Sequence, residues 1–217
     1  LVVLLARGIE GIAFAVLAII GPVLASSSAN RRQLPLVLGL SAAWIPVGQL
    51  SATILAPISL TSIGWQGLWY VAVVGSVVFF VWCQRFAHRQ ARTPASKETE
   101  AKRLPFSRGQ TLSLLLTAAI FMIWSGQYFA YMTWLPQYLV EVHGMDVNNA
   151  LVGYVVPVVF VAIFNVMTGV MLRAGWPVGW VMVSALSTQV TVWWLIPFTG
   201  AGPAGVVSLV VYGIGAG

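Results

Sequence analysis

Arg7 and Glu10 stand three residues apart inside the apolar run LLARGIEGIAFAVLAIIGP, residues 4–22. They are the only charged residues well inside any hydrophobic run of the chain. An ionisable group at the centre of a membrane helix costs about 2.5 to 3.5 kcal/mol on insertion scales, so such residues usually face a bundle interior and have a partner or a task. At i and i+3 the two share one helix face and could neutralise each other. Counting about 1.5 Å per residue from Ser26 places Arg7 about 28 Å from that end, toward the other margin, where a guanidinium could snorkel to the interface. Two readings therefore stay open: a structural pair or anchor, and a role with a solute or a coupling ion.

A second cluster lies in IWSGQYFAYMTWLPQY, residues 123–138. Trp124, Gln127, Tyr131 and Trp134 follow spacings of three and four, which puts them on one helix face with Tyr128 beside them. Trp124, Gln127 and Tyr128 fall near the middle of their run, where an amide and a phenol need partners, either along a cavity or across to another helix. Trp134 and Tyr138 fall nearer its end, in the position of an aromatic belt. In WIPVGQL, Trp44, Pro46, Gly48 and Gln49 come to mid-depth of another run; the Pro and Gly permit a bend or a close approach. Asn165 and Gln189 read as amides joining helices, and His88 and His143 as solvated loop residues.

No catalytic constellation accompanies these residues. There is no HExxH, no His and acid pair within a run, no glycine-rich phosphate loop with a lysine, and no Cys or His cluster suited to a metal. Cys83 is the single cysteine and reads as a small filler near a helix end. Lys97 and Lys102 are the only lysines and lie between hydrophobic runs, which argues against a retinal Schiff base. No cofactor is expected.

The elements that must position these side chains are membrane helices. Of 217 residues, 59% are apolar and 7% charged, against about 25% charged in a soluble domain; mean hydropathy is +0.90. A bilayer core of about 30 Å needs about 20 apolar residues per crossing. Seven runs qualify, at about 1–25, 35–60, 65–86, 111–140, 150–172, 177–199 and from 203 on. None alternates with the period of a barrel strand, so all seven are expected to be helical. The chain starts and stops inside apolar runs, and an internal piece of a longer protein is expected.

Charge between the runs sets orientation, because basic residues collect in short cytoplasmic loops. Arg31 and Arg32 lie in the first loop, seven Lys and Arg between Gln84 and Gln110 in the third, and Arg173 in the fifth. The second and sixth loops are uncharged, and the fourth has only Glu141 and Asp146 as charged residues. Ten of the eleven basic residues thus occupy alternate loops. Loops 26–34, 87–110 and 173–177 are expected in the cytoplasm, and the net charge of +6 reports topology rather than nucleic-acid binding. Prolines and glycines inside the runs, including Pro22, Pro46, Pro57, Pro136, Pro157 and Pro197, suggest kinked helices that move or line a cavity.

RGIEG, with Arg7 and Gly11, resembles the RxxxG motif in the fourth helix of the major facilitator superfamily of secondary transporters. The long basic loop after the third run resembles the linker between that family's two six-helix halves. GVMLRAG, residues 169–175, is similar to the degenerate basic motif between the family's eighth and ninth helices, without the usual acid. RGIEGIAF, WIPVG and GWQGLW together resemble the cyanate permease-like branch, whose members carry small or organic, often anionic, solutes. The GPxxGG signature of drug antiporters is missing, with Pro46 flanked by Ile45 and Val47.

The resemblance implies an all-α, partial major facilitator fold covering the fourth to tenth helices. Residues 1–86 would supply three helices of the N-terminal bundle, 87–110 the basic cytoplasmic linker, and 111–217 four helices of the C-terminal bundle. It implies a plasma (inner) membrane transporter, monomeric when full length, that moves a small organic or anionic solute by alternating access with proton coupling. Arg7 would bind the anion or hold Glu10, and Glu10 could relay a proton. With Trp44, Gln49, Trp124, Gln127, Tyr128 and Tyr131 they form the candidate substrate or coupling set, the Arg7 and Trp124 helices lining one cavity in the family. A seven-helix receptor or sensor, or a membrane-embedded enzyme, would be the competing readings.

Overall fold

In lipid a backbone must satisfy its own hydrogen bonds, and every apolar run of the chain does so as helix. The computed structural model describes residues 2–27, 29–90, 107–199 and 202–217. The elements are α1 (Val2–Ser27), α2 (Leu34–Ala42), α3 (Trp44–Ser62), α4 (Gln66–Gln90), α5 (Arg108–Glu141), α6 (Val147–Arg173), α7 (Val178–Leu195), a 3-10 turn (Ile196–Phe198) and α8 (Pro203–Ala216). Six stretches are long and apolar enough to cross a membrane, with Leu34–Ser62 counted as one; α8 is shorter. There is no strand among the described residues. Most of the basic linker lies outside them, between Gln90 and Ser107.

The second run is where a proline interrupts the helix. Pro46 has no N–H to give to the carbonyl of Ala42, and the chain breaks at Ala43, between α2 and α3. Ala43 N still donates to Gly39 O at 3.2 Å and Val47 N to Ala43 O at 3.1 Å, on either side of the break. Pro46 then occupies the first turn of α3, where a lost donor costs least. Pro22, Pro57, Pro136 and Pro157 leave α1, α3, α5 and α6 unbroken. Pro197 sits in the 3-10 turn that ends α7.

Helix ends follow local side-chain chemistry. Ser107 and Gln110 form a reciprocal capping box at the start of α5: Ser107 N donates to Gln110 Oε1 at 2.9 Å and Gln110 N to Ser107 Oγ at 3.3 Å. This starts the helix three residues before the hydrophobic run does. Asp146 caps α6, accepting from Asn148 N at 2.9 Å and Asn149 N at 3.1 Å. Gly175, at φ 95°, closes α6 in a left-handed turn, with Trp176 N donating to Met171 O. Replacing Ser107 by alanine is expected to cost about 0.5–2 kcal/mol, read as a lower unfolding temperature and faster amide exchange in the first turn of α5.

The described residues form two compact units. Leu1–Thr53 with Met132–Gly217 is one; in it α6 packs against α2 and α8, α8 packs against α7, and α1 packs against α2. Lipid tails are as apolar as leucine, so close backbone approach rather than apolar burial joins such helices. Gly39 of α2 faces the Asn165 carbonyl and Gly169 of α6, and a Cβ on Gly169 would lie 2.8 Å from Pro35 O and 3.0 Å from Leu36 Cα. On α8 the GIGAG segment repeats the device: Gly213 lies against Pro157, Gly217 against Val161, and Gly215 against Thr188 of α7. Val158, Val161, Leu209 and Tyr212 are buried in the same unit.

Ile54–Tyr131 is the other unit. In it the end of α3 turns into α4, with Gly67 against Ser59, whose Oγ donates to Gly64 O at 3.0 Å. From Val71 to Arg85 every residue of α4 is exposed. That surface is nearly all apolar, as a lipid-facing helix requires.

Candidate functional site

Arg7 and Glu10 are paired on α1, with Nη1 3.0 Å from Oε2. The i, i+3 spacing alone accounts for this, since α1 runs without interruption from Val2 to Ser27. Their side chains are 53% and 57% exposed, so the pair stands on an open face of the helix rather than in a packed interior. A paired guanidinium and carboxylate have no net charge but keep several donors and acceptors to offer. Seven residues further along, Phe14 meets Trp44, the first residue of α3, at 5.3 Å between ring centroids and 41° between planes. Trp44 therefore touches α1 about 10 Å along its axis from Arg7. Gln49 follows in the second turn of α3, half-buried, and its carbonyl accepts from Thr53 Oγ1 at 2.8 Å.

In the other unit, α5 places its aromatic rings in a stack. Trp124 and Tyr128 lie 5.4 Å apart at 13°, Phe121 and Trp124 5.9 Å apart at 26°. Tyr128 also meets Phe129 edge-on at 5.5 Å and 78°. Tyr128 is 1% and Tyr131 5% exposed, while Trp124 and Gln127 are half-buried. Such a face offers aromatic surface beside an amide, a combination that can hold a small organic molecule by its flat side and by hydrogen bonds.

The structure thus joins Arg7 to Glu10 and Trp124 to Tyr128, and adds three rings that sequence reasoning passed over, Phe121, Phe129 and Phe14. Phe121 carried a signal, since it precedes Trp124 by three residues and Tyr128 by seven. Phe14 carried none, because its contact depends on how α1 and α3 meet. His143 was expected to be solvated. It is instead half-buried, its ring edge-to-face with Tyr138 at 4.9 Å and 89°, because the left-handed turn at Gly144 (φ 64°) folds the segment back at the end of α5. Gln189 is buried on α7. Cys83 is exposed and forms no disulfide. Among the described residues no three His, Cys, Asp or Glu side chains come together as metal ligands.

Comparison with curated proteins and with solved structures finds no match. The sequence model of the Major Facilitator Superfamily matches residues 1–217. With that match over the whole chain, helices of membrane length and a charged pair on one of them, the chain belongs to the major facilitator superfamily, a family of membrane transporters for small solutes and not of enzymes.

Proposed function

We propose that the protein is a secondary active transporter that moves a small organic or anionic solute by alternating access, coupled to protons. The observation that carries this reading is the Arg7 and Glu10 pair, held at 3.0 Å on a helix of membrane length. A guanidinium in such a span can release its carboxylate partner to take an anionic solute, and the carboxylate, once released, can take a proton. One event then favours the other, which is what coupling requires. Gln49 and Trp44 would contribute an amide and a ring from α3, and Trp124, Gln127, Tyr128 and Tyr131 a flat, partly polar face for an organic body. Alternation between two half-bundles joined by the basic linker, with loops 26–34, 87–110 and 173–177 in the cytoplasm of a plasma (inner) membrane, completes the reading; the full-length protein would act as a monomer.

The test is uptake of labelled small organic anions by the intact protein in liposomes, with and without an imposed proton gradient. Accumulation of at least one carboxylate above equilibrium, abolished when the gradient is collapsed, is the expected result. Equilibration without accumulation would remove proton coupling from the proposal. Uptake confined to organic cations would remove the anion.

A further inference from the structure

A cleft of about 310 Å³ opens where the end of α5, the start of α6, the Ile196–Phe198 turn and the start of α8 come together. Its volume lies at the lower end of the range for small-molecule sites, about 300–1,000 Å³. Its walls are mostly leucine, valine and isoleucine, and five polar residues interrupt them: Tyr138, His143, Asn149, Thr199 and Ser208. None of these belongs to the residues assigned to transport above.

Four of the five have already given hydrogens away. Tyr138 Oη donates to Ile196 O at 3.3 Å, and Thr199 Oγ1 donates to the same carbonyl at 3.0 Å. Ser208 Oγ donates to Gly205 O at 2.7 Å. Asn149 Nδ2 donates to the Asp146 carboxylate. A hydroxyl has one hydrogen and two lone pairs, so with these bonds made Tyr138, Thr199 and Ser208 have only lone pairs to offer a ligand, while the Asn149 amide keeps one N–H beside its accepting oxygen. The stretches that build the cleft, 135–156 and 196–209, contain Glu141 and Asp146 and neither lysine nor arginine. Tyr138 and His143, packed edge-to-face, add an aromatic wall, and a tyrosine ring face attracts cations. Acceptor oxygens and an aromatic wall around an apolar hollow, with the Asp146 carboxylate bonded to the lining Asn149 and neither lysine nor arginine in these stretches, call for the opposite in a ligand: an apolar body with a positively charged donor.

We propose that this cleft binds a small amphipathic amine. Isothermal titration calorimetry of the intact, purified protein with 2-phenylethylamine and with 3-phenylpropanoate, which pair a similar apolar body with opposite charge, tests it. Saturable binding of the amine is expected, with the carboxylate at least about tenfold weaker. Val206→Trp puts an indole into the cleft from an exposed wall position and should abolish amine binding. Thr199→Val should weaken it about three- to tenfold by removing one acceptor, with unfolding temperature unchanged. Equal affinity for the two compounds, no saturable amine binding, or full amine affinity in a folded Val206→Trp protein would each overturn the proposal. If Val206→Trp does not fold, Thr199→Val decides, and unchanged affinity there overturns it. Binding is measured without transport, so this outcome is separate from that of the proposed solute reading.

Discussion

Arg7→Ala is expected to reduce uptake of the anionic solute by roughly ten- to a hundredfold, which is what losing a charge-assisted hydrogen bond of about 1.5–3 kcal/mol implies. The alanine also leaves Glu10 without the guanidinium that sits 3.0 Å away. Glu10→Gln keeps the shape and an acceptor but removes the titratable group. Transport in that variant should lose its dependence on the proton gradient while downhill exchange of solute continues. The exchanged pair, Arg7→Glu with Glu10→Arg, separates the two readings of these residues. A structural pair would be restored by the exchange, since i, i+3 contact is available in either order. A solute or coupling role would not, because the guanidinium then sits about 4.5 Å further along the helix. Initial rates of uptake in liposomes at several external pH values check all three variants. Normal rates and normal pH dependence in both single variants would sink the assignment.

Gly169→Leu is expected to have the largest effect on the fold. Even the first carbon of a side chain would lie 2.8 Å from Pro35 O and 3.0 Å from Leu36 Cα, and both neighbours are backbone, which cannot rotate away. Alanine in place of a helical glycine gains about 1 kcal/mol of helix propensity, whereas forcing atoms into a packed contact costs about 1–3 kcal/mol. The crowding therefore outweighs the gain already for Gly169→Ala, and leucine should push α2 off α6. A control comes from Gly179 of α7, where an added Cβ meets nothing within 4 Å; Gly179→Ala should be neutral or slightly stabilising. Thermal unfolding of the purified protein should show Gly169→Leu lower by several degrees, Gly169→Ala lower by less, and Gly179→Ala unchanged or higher. Equal unfolding temperatures for Gly169→Leu and the parent would mean that the α2 and α6 contact does not hold this unit together. Uptake should fall with Gly169→Leu as well.

The glycine contact also shows how far close packing replaces burial in this protein. α6 and α8 meet through Gly213 and Gly217, and α2 and α6 through Gly39 and Gly169. Each pairing presents backbone to backbone, where dispersion contacts are densest. Small residues spaced by four were visible in GIGAG, but small residues are common in this chain, and most glycines of α1, α4 and α5 face open space. The spacing marks a possible contact surface without saying which helix will use it.

What the sequence determined by itself is what depends on one segment at a time. A bilayer demands that each crossing be apolar and close its own backbone bonds, so seven apolar runs became helices with ends near those expected. Arg7 pairs with Glu10, and Trp124 stacks on Tyr128, because residues three or four apart on a continuous helix are neighbours whatever surrounds it. The capping box at Ser107 and Gln110 was equally local and could have been read. Tertiary structure alone decided the rest: the contact of Phe14 with Trp44, the crossing of Gly39 and Gly169, and the cleft that half-buries His143. In a soluble protein the polar face of a helix tells which side is outside. Here the lipid-facing and helix-facing sides are both apolar, so periodicity is silent about which faces meet, and only the packing of one helix on another settles it.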